Sequence, residues 1–144
     1  MEGHAGVVCF PRSTDEVRRC MEVAVRHRLA VTARGSGTGL AGGAVPLDEA
    51  MVVSTSKMDR ILSVDVANRR AWVEPGVLNL DLSRAVAVHG LNFAPDPSSQ
   101  QVCSLGGNVA NNSGGPHCLS EGVTSVHVLA LEVVLPDATV VMLG

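Results

Sequence analysis

The stretch Arg34-Gly35-Ser36-Gly37-Thr38-Gly39-Leu40-Ala41-Gly42-Gly43-Ala44-Val45-Pro46 decides how this chain is read. Five of its fifteen glycines fall between Gly35 and Gly43. Glycine loses more backbone freedom on folding than any other residue, so such crowding needs a physical reason. One reason is a loop whose backbone N–H groups converge on an anion with no Cβ in the way. Ser36 and Thr38 would add hydroxyl donors. The plainer alternative is a flexible surface loop. Gly35-x-Gly37-x-Gly39 does not make a dinucleotide fingerprint, because that motif must open a helix and Gly42, Gly43 and Pro46 forbid one. A phosphate loop of the lysine type is excluded, since the one lysine, Lys57, follows no glycine at the required spacing.

Toward the N-terminus, Val7 to Phe10 reads as a short buried strand ended by Pro11. Ser13-Thr14-Asp15-Glu16 is a capping box, and Val17, Cys20, Met21, Ala24 and Val25 follow with helical spacing. Arg18, Arg19, Arg26 and Arg28 fall largely off that stripe and read as a solvated face. Leu29 to Ala33 is a second β-type run, so strand, helix and strand predict one parallel βαβ unit with a right-handed crossover.

Toward the C-terminus, Met51 to Ser54 reads as a strand. Ile61 to Val66 and Arg70 to Glu74 alternate around the turn Ala67-Asn68-Arg69 and predict a hairpin. Asn79 reads as the cap of a second helix, with Leu82, Ala85, Val86 and His89 on one face and Gly90 as terminator. Pro95-Asp96-Pro97-Ser98-Ser99 is a restricted, extended bend that serves either as a turn or to present its serines. A second glycine cluster spans Gly106 to Gly122. Within it, Leu105 to Ser113 predicts a short helix whose start, Gly106-Gly107, offers bare N–H groups. Two such loops, one at a helix start, suit a pyrophosphate. Asn108, Asn111 and Asn112 supply amides for a ligand or for turns and caps. Val126 to Leu135 reads as a long buried strand, in which Glu132 needs a partner or a ligand's polar edge. Thr139 to Leu143 is its hairpin partner. The order of elements predicts an α+β fold.

Composition narrows the function. One domain is the expectation at 144 residues. A net charge of −3 argues against a nucleic-acid partner, and three aromatic residues, Phe10, Trp72 and Phe93, are too few for base stacking. A planar ligand must then be held by backbone and aliphatic groups. No apolar run is long enough to span a bilayer, and Met1 to Gly6 has no apolar leader core. Cys9, Cys20, Cys103 and Cys118 form no C-x-x-C pair, so reduced thiols in the cytoplasm are expected. His117 beside Cys118 has no second pair at metal-ligand spacing, and no metal site is expected. The chain stops at Gly144 directly after a strand, which reads as a truncation.

Four motifs stand in register along the chain: Arg34 to Pro46, Val73-Glu74-Pro75-Gly76-Val77, Ala94 to Ser99, and Ser104 to Gly115. In that order they resemble the FAD-binding domain of the FAD-linked oxidase family, of the vanillyl-alcohol-oxidase (PCMH) type. Within it they are most similar to the hydroxy-acid branch of glycolate oxidase FAD-binding subunits and D-lactate dehydrogenases. The resemblance implies a two-subdomain α+β fold, about residues 1–55 and 56–144, the second incomplete, with FAD between them. It implies that Gly35 to Gly39, flanked by Arg34 and Leu40, cradle the pyrophosphate. Pro75, Gly76 and Val77 would pack by the adenosine part, and Glu132 and Val133 would border the adenine. Pro95, Asp96, Pro97, Ser98, Ser99, Ser104, Gly106, Gly107, Asn108, Asn111, Ser113, Gly114, Gly115 and Gly122 would wrap the ribityl chain and flavin. Relatives often carry a basic residue and then a tyrosine before the glycine at Gly122, whereas Ser120 and Glu121 stand here. The implied activity is oxidation of a small 2-hydroxy acid to a 2-oxo acid by hydride transfer to flavin N5. The base and substrate contacts would lie in a cap domain outside the chain, so no catalytic residue is assigned within it. Other subunits of an oxidase complex are implied partners. Two alternatives are a non-catalytic flavin-binding module and a flavin oxidoreductase of the same fold with another substrate.

Overall fold

A computed structural model describes residues Gly3–Gly144; Met1 and Glu2, part of the polar opening stretch, lie outside them. β1 (Val7–Cys9), β3 (Met51–Ser54) and β2 (Val31–Arg34) form a parallel sheet in the order β1-β3-β2. β1 and β2 each pair with β3 and not with one another. The predicted βαβ unit is therefore spread across an inserted central strand. β3 is central and all four of its residues are buried, whereas β1 is an edge with Val7 and Val8 well exposed, against the buried strand expected there. β2 feeds directly from Arg34 into the glycine loop.

α1 (Thr14–His27) covers one face of this sheet. Ser13 caps it, accepting from the Glu16 N–H, while Glu16 reaches back to the Arg12 N–H at 2.7 Å. That reciprocal arrangement is the capping box displaced by one residue. Ala24, Met51 and Val53 form the first core, packed by Cys9, Val17, Cys20, Leu29 and Val31. Val25 is exposed and off that face.

β4 (Ile61–Asp65) and β5 (Arg70–Val73) form the expected antiparallel hairpin, turning through Arg69 at φ 52°. The second core is Val77, Leu82, Val86 and Leu105, packed by Ile61, Val73, Leu91 and Phe93. It joins the hairpin to α2 (Asn79–Ala87) and α3 (Leu105–Asn111). α2 ends before His89, which is exposed, and Ala85 within the helix is exposed as well rather than packed. Gly90 takes φ 70° just beyond, as a terminator does. A short helix, α4 (Cys118–Glu121), and a 3-10 turn at Thr124–His127 follow.

The long strand expected over Val126 to Leu135 is shorter. β6 (Leu131–Val134) pairs antiparallel with β7 (Val140–Leu143), and the apolar residues before β6 are partly in the 3-10 turn. Hydrophobic runs do not separate strand from turn by themselves. No helix among the described residues is long and apolar enough to cross a membrane.

Candidate cofactor site

The loop after β2 is defined by what its backbone does not do. Among the described residues, no backbone N–H from Ser36 to Gly43 donates a hydrogen bond within the chain. Backbone donors are obligatory hydrogen-bonding groups, so this run must be answered by water or by a ligand. Gly37 sits at φ 73°, a conformation that turns the loop and disfavours a side chain. The Arg34 guanidinium folds over it: a Cβ on Gly37 would lie 2.5 Å from Arg34 Nη2. A cation thus lies against Gly37, within a loop whose N–H groups are unengaged.

The two glycine clusters meet. A Cβ on Gly35 would overlap Ser104 Oγ, and one on Gly39 would touch the Asn111 amide at 3.4 Å. Ser104 caps α3, so the first loop closes on the start of that helix. The helix start itself differs from expectation. The Leu105 N–H donates to Val77 O and the Gly106 N–H to Pro75 O, each at 2.8 Å, and Ser104 Oγ faces the Gly107 N–H at 3.4 Å. These groups are not bare. Gly106 is glycine because Pro75 packs against it, with a Cβ there only 2.7 Å from Pro75 Cβ. Much of the glycine content therefore permits close approach of segments, and the open N–H row belongs to the first loop.

The Pro95–Ser99 segment is fastened from beneath. Asn79, read from sequence as a cap, is the first residue of α2 and fully buried. Its Nδ2 donates to Pro95 O at 2.9 Å, while its Oδ1 has no partner. Pro97 O and Ser99 O accept from the Gln100 and Cys103 N–H groups. Gly115 lies flat against Asp96, where a Cβ would overlap the Asp96 carboxylate. His117 Nδ1 meets Asp96 Oδ2 at 2.5 Å. The bond holds the Asp96 carboxyl below its usual range and raises the His117 imidazole, with Glu121 adding to the latter. Asn108 is buried and its Nδ2 has no partner. Asn111 Nδ2 donates to Gly107 O, and Ser113 O accepts twice from Thr124. Gly122 sits at φ 81° against Val126.

A cavity of about 290 Å³ opens between the first loop and α2, walled by Ser36, Ser56, Asp59, Ile61, Gly76, Val77, Leu78 and Asp81. Ser56, Asp59 and Asp81 had no signal in sequence, because each is an isolated polar residue until the fold collects them. Glu132 and Val133 stand in β6, where exposed Glu132 accepts from the Thr14 hydroxyl at the start of α1. Among the described residues no hydrogen bond ties either to the glycine segments.

The sequence model of the family described as "FAD binding domain" matches residues 5–144. The chain belongs to the FAD binding domain family. The glycolate oxidase subunit GlcD of Escherichia coli K12 is 46% identical over 138 residues, covering 96% of this chain and 28% of the relative. The D-lactate dehydrogenase of Archaeoglobus fulgidus is 41% identical, covering 96% and 31%. The chain thus spans about 30% of the length of these curated relatives. Among solved structures, an alkyldihydroxyacetonephosphate synthase superposes with a TM-score of 0.85 at 23% identity, covering 95% of this chain and 28% of that one. 6-Hydroxy-D-nicotine oxidase from Arthrobacter nicotinovorans does so at 0.82 and 23%, covering 94% and 29%. At these identities the likeness is one of fold.

FAD is the cofactor of this domain, and the residues fit it. A dinucleotide presents two adjacent phosphates, and the Ser36–Gly43 N–H row with Arg34 against Gly37 offers unengaged donors and a positive charge. The unpartnered Asn108 Nδ2 is a further donor, buried at the first turn of α3 where the loops converge.

Proposed function

We propose that this FAD binding domain serves a flavin-dependent oxidoreductase that converts a 2-hydroxy acid of the D-lactate or glycolate type to the 2-oxo acid. The observation that carries the cofactor half is the unengaged N–H row from Ser36 to Gly43 closing on Ser104. The substrate half rests on the glycolate oxidase subunit and D-lactate dehydrogenase among the relatives. When bound, FAD supplies a two-electron acceptor at flavin N5.

In this reading Arg34, Gly35 to Gly39 and Leu40 hold the pyrophosphate. Pro75, Gly76 and Val77, with the adjoining cavity, take the adenosine part, whose edge Glu132 and Val133 border. Pro95 to Ser99, Ser104, Gly106, Gly107, Asn108, Asn111, Ser113 to Gly115 and Gly122 surround the ribityl chain and flavin. Asn79 positions the Pro95 segment from below. No residue of this chain is given the proton-abstracting role. Two subdomains meeting near residue 55 are supported by two cores that share no residue. A reducing, cytoplasmic setting suits the four free cysteines.

The test uses the protein that carries this domain, loaded with FAD and desalted. Retained flavin absorbance that D-lactate or glycolate bleaches without oxygen is the expected result. Retained flavin that no hydroxy acid bleaches would replace this reading with a flavin-binding module, or with an oxidoreductase for another substrate. A colourless, folded protein would overturn the cofactor assignment.

A further inference from the structure

We propose that Cys9 and Cys20 form a reversible dithiol–disulfide site, oxidised by small-molecule disulfides and separate from the cofactor loops. Cys9 closes β1 and pairs with Val53, while Val7, two residues earlier, pairs with Met51. Side chains two apart on a strand share a face, so Cys9 faces the same side as the core residues Met51 and Val53. Cys20 lies one helical turn before Ala24 on α1, and residues four apart share a helix face. Strand register and helix spacing thus bring both thiols to one core, and both pack against Ala24, Met51 and Val53. The Cys9 sulfur lies close enough to Cys20 to perturb its thiol.

Both side chains are half-buried, so a small reagent can reach them, whereas Cys103 is buried. Burial and the neighbouring sulfur push the Cys20 thiol up to about 11, so it stays protonated near neutral pH and the first attack falls to Cys9. The Cys9 thiolate attacks one sulfur of a low-molecular-weight disulfide. A Cys9 mixed disulfide forms and one small thiolate leaves. Cys20 Sγ then attacks Cys9 Sγ. The mixed bond breaks, the Cys9–Cys20 bond forms, and the second small thiolate leaves. The two protein protons pass to the two departing thiolates. The protein dithiol is oxidised by two electrons and the external disulfide is reduced to two thiols. A disulfide has a bond length of about 2.05 Å, so side-chain rotation must bring the two sulfurs into bonding contact. The bond would tie the edge strand β1 to α1.

Oxidised glutathione is the probe. The purified protein is incubated with it, alkylated, digested and mapped without reduction. Arg12 and Arg19 lie between the cysteines, so trypsin places them in separate peptides. The expected product is one cross-linked Cys9–Cys20 peptide pair, two hydrogens lighter than the sum of its parts and released by dithiothreitol. In Cys20→Ser the mixed glutathione adduct accumulates on Cys9. In Cys9→Ser, Cys20 stays free. Native protein in which Cys9 and Cys20 remain alkylatable while half-buried Cys118 is converted would overturn the proposal. So would a folded Cys20→Ser variant with no adduct on Cys9.

Discussion

At the scale of single residues, Gly35 and Ser104 couple the two glycine segments. A Cβ on Gly35 would overlap Ser104 Oγ, so Gly35→Ala should destabilise the domain by about 1–3 kcal/mol, the usual cost of overpacking. Ser104→Ala removes the obstructing oxygen, so Gly35→Ala should cost less in that background. Urea unfolding of the four proteins measures this, and strictly additive costs would refute the contact. Asn79→Ala should cost about 1–3 kcal/mol, because it strands the Pro95 carbonyl that Asn79 satisfies. It should also weaken FAD retention by loosening the Pro95–Ser99 segment. Normal retention in a folded variant would separate Asn79 from the site.

The Asp96–His117 pair gives a pH signature with a fixed sign. His117 is raised in the folded state, so its contribution is complete below about 6.5 and is lost as pH rises through its folded value. Asp96 is lowered, so its contribution is present above about 3.9 and is lost as pH falls through its folded value. The melting-temperature gap between wild type and His117→Ala should therefore be widest between these limits and narrow on either side. A gap independent of pH would show that the pair contributes nothing as an ion pair.

At the scale of elements, α1 rests on its cap as well as its core face. Ser13→Ala removes the acceptor for the Glu16 N–H and should cost about 1 kcal/mol in thermal or urea unfolding. An unchanged midpoint would mean that Glu16, bonded to the Arg12 N–H, holds the helix start alone. α3 illustrates a different economy. At seven residues it is too short to be stable by itself, and its first N–H groups are consumed by Val77 O and Pro75 O. Tertiary pairing, rather than helix propensity, creates it.

At the scale of the whole molecule, the accessible surface is 9006 Å². A compact monomer of this mass would expose about 7,000 Å². The surplus includes Leu40, Leu119 and Val88, each exposed almost fully. Two small cores and three separate sheets leave little to hold the loops except what binds between them. FAD should accordingly raise the thermal midpoint progressively, with about 2.7 kcal/mol of stabilisation at a hundredfold excess over its Kd. A midpoint insensitive to FAD would contradict binding to the folded state.

Local patterns determined much of this protein. The capping box at Ser13, the hairpin around Asn68 and the Gly90 terminator are short-range matters of hydrogen bonding and φ, so neighbouring residues suffice to specify them. The ordered glycine motifs likewise carried the family and its cofactor. Long-range geometry decided the rest. β3 takes the centre of the first sheet although β1 is equally apolar in sequence, an outcome of long-range pairing that no single window contains. Asn79 reads as a cap in isolation, yet a carbonyl sixteen residues away claims its side chain. The start of α3 looks like an open anion site until the Pro75 turn folds onto it. Its N–H groups bond to the chain, while those from Ser36 to Gly43 remain available, and only the packed structure distinguishes these two glycine loops.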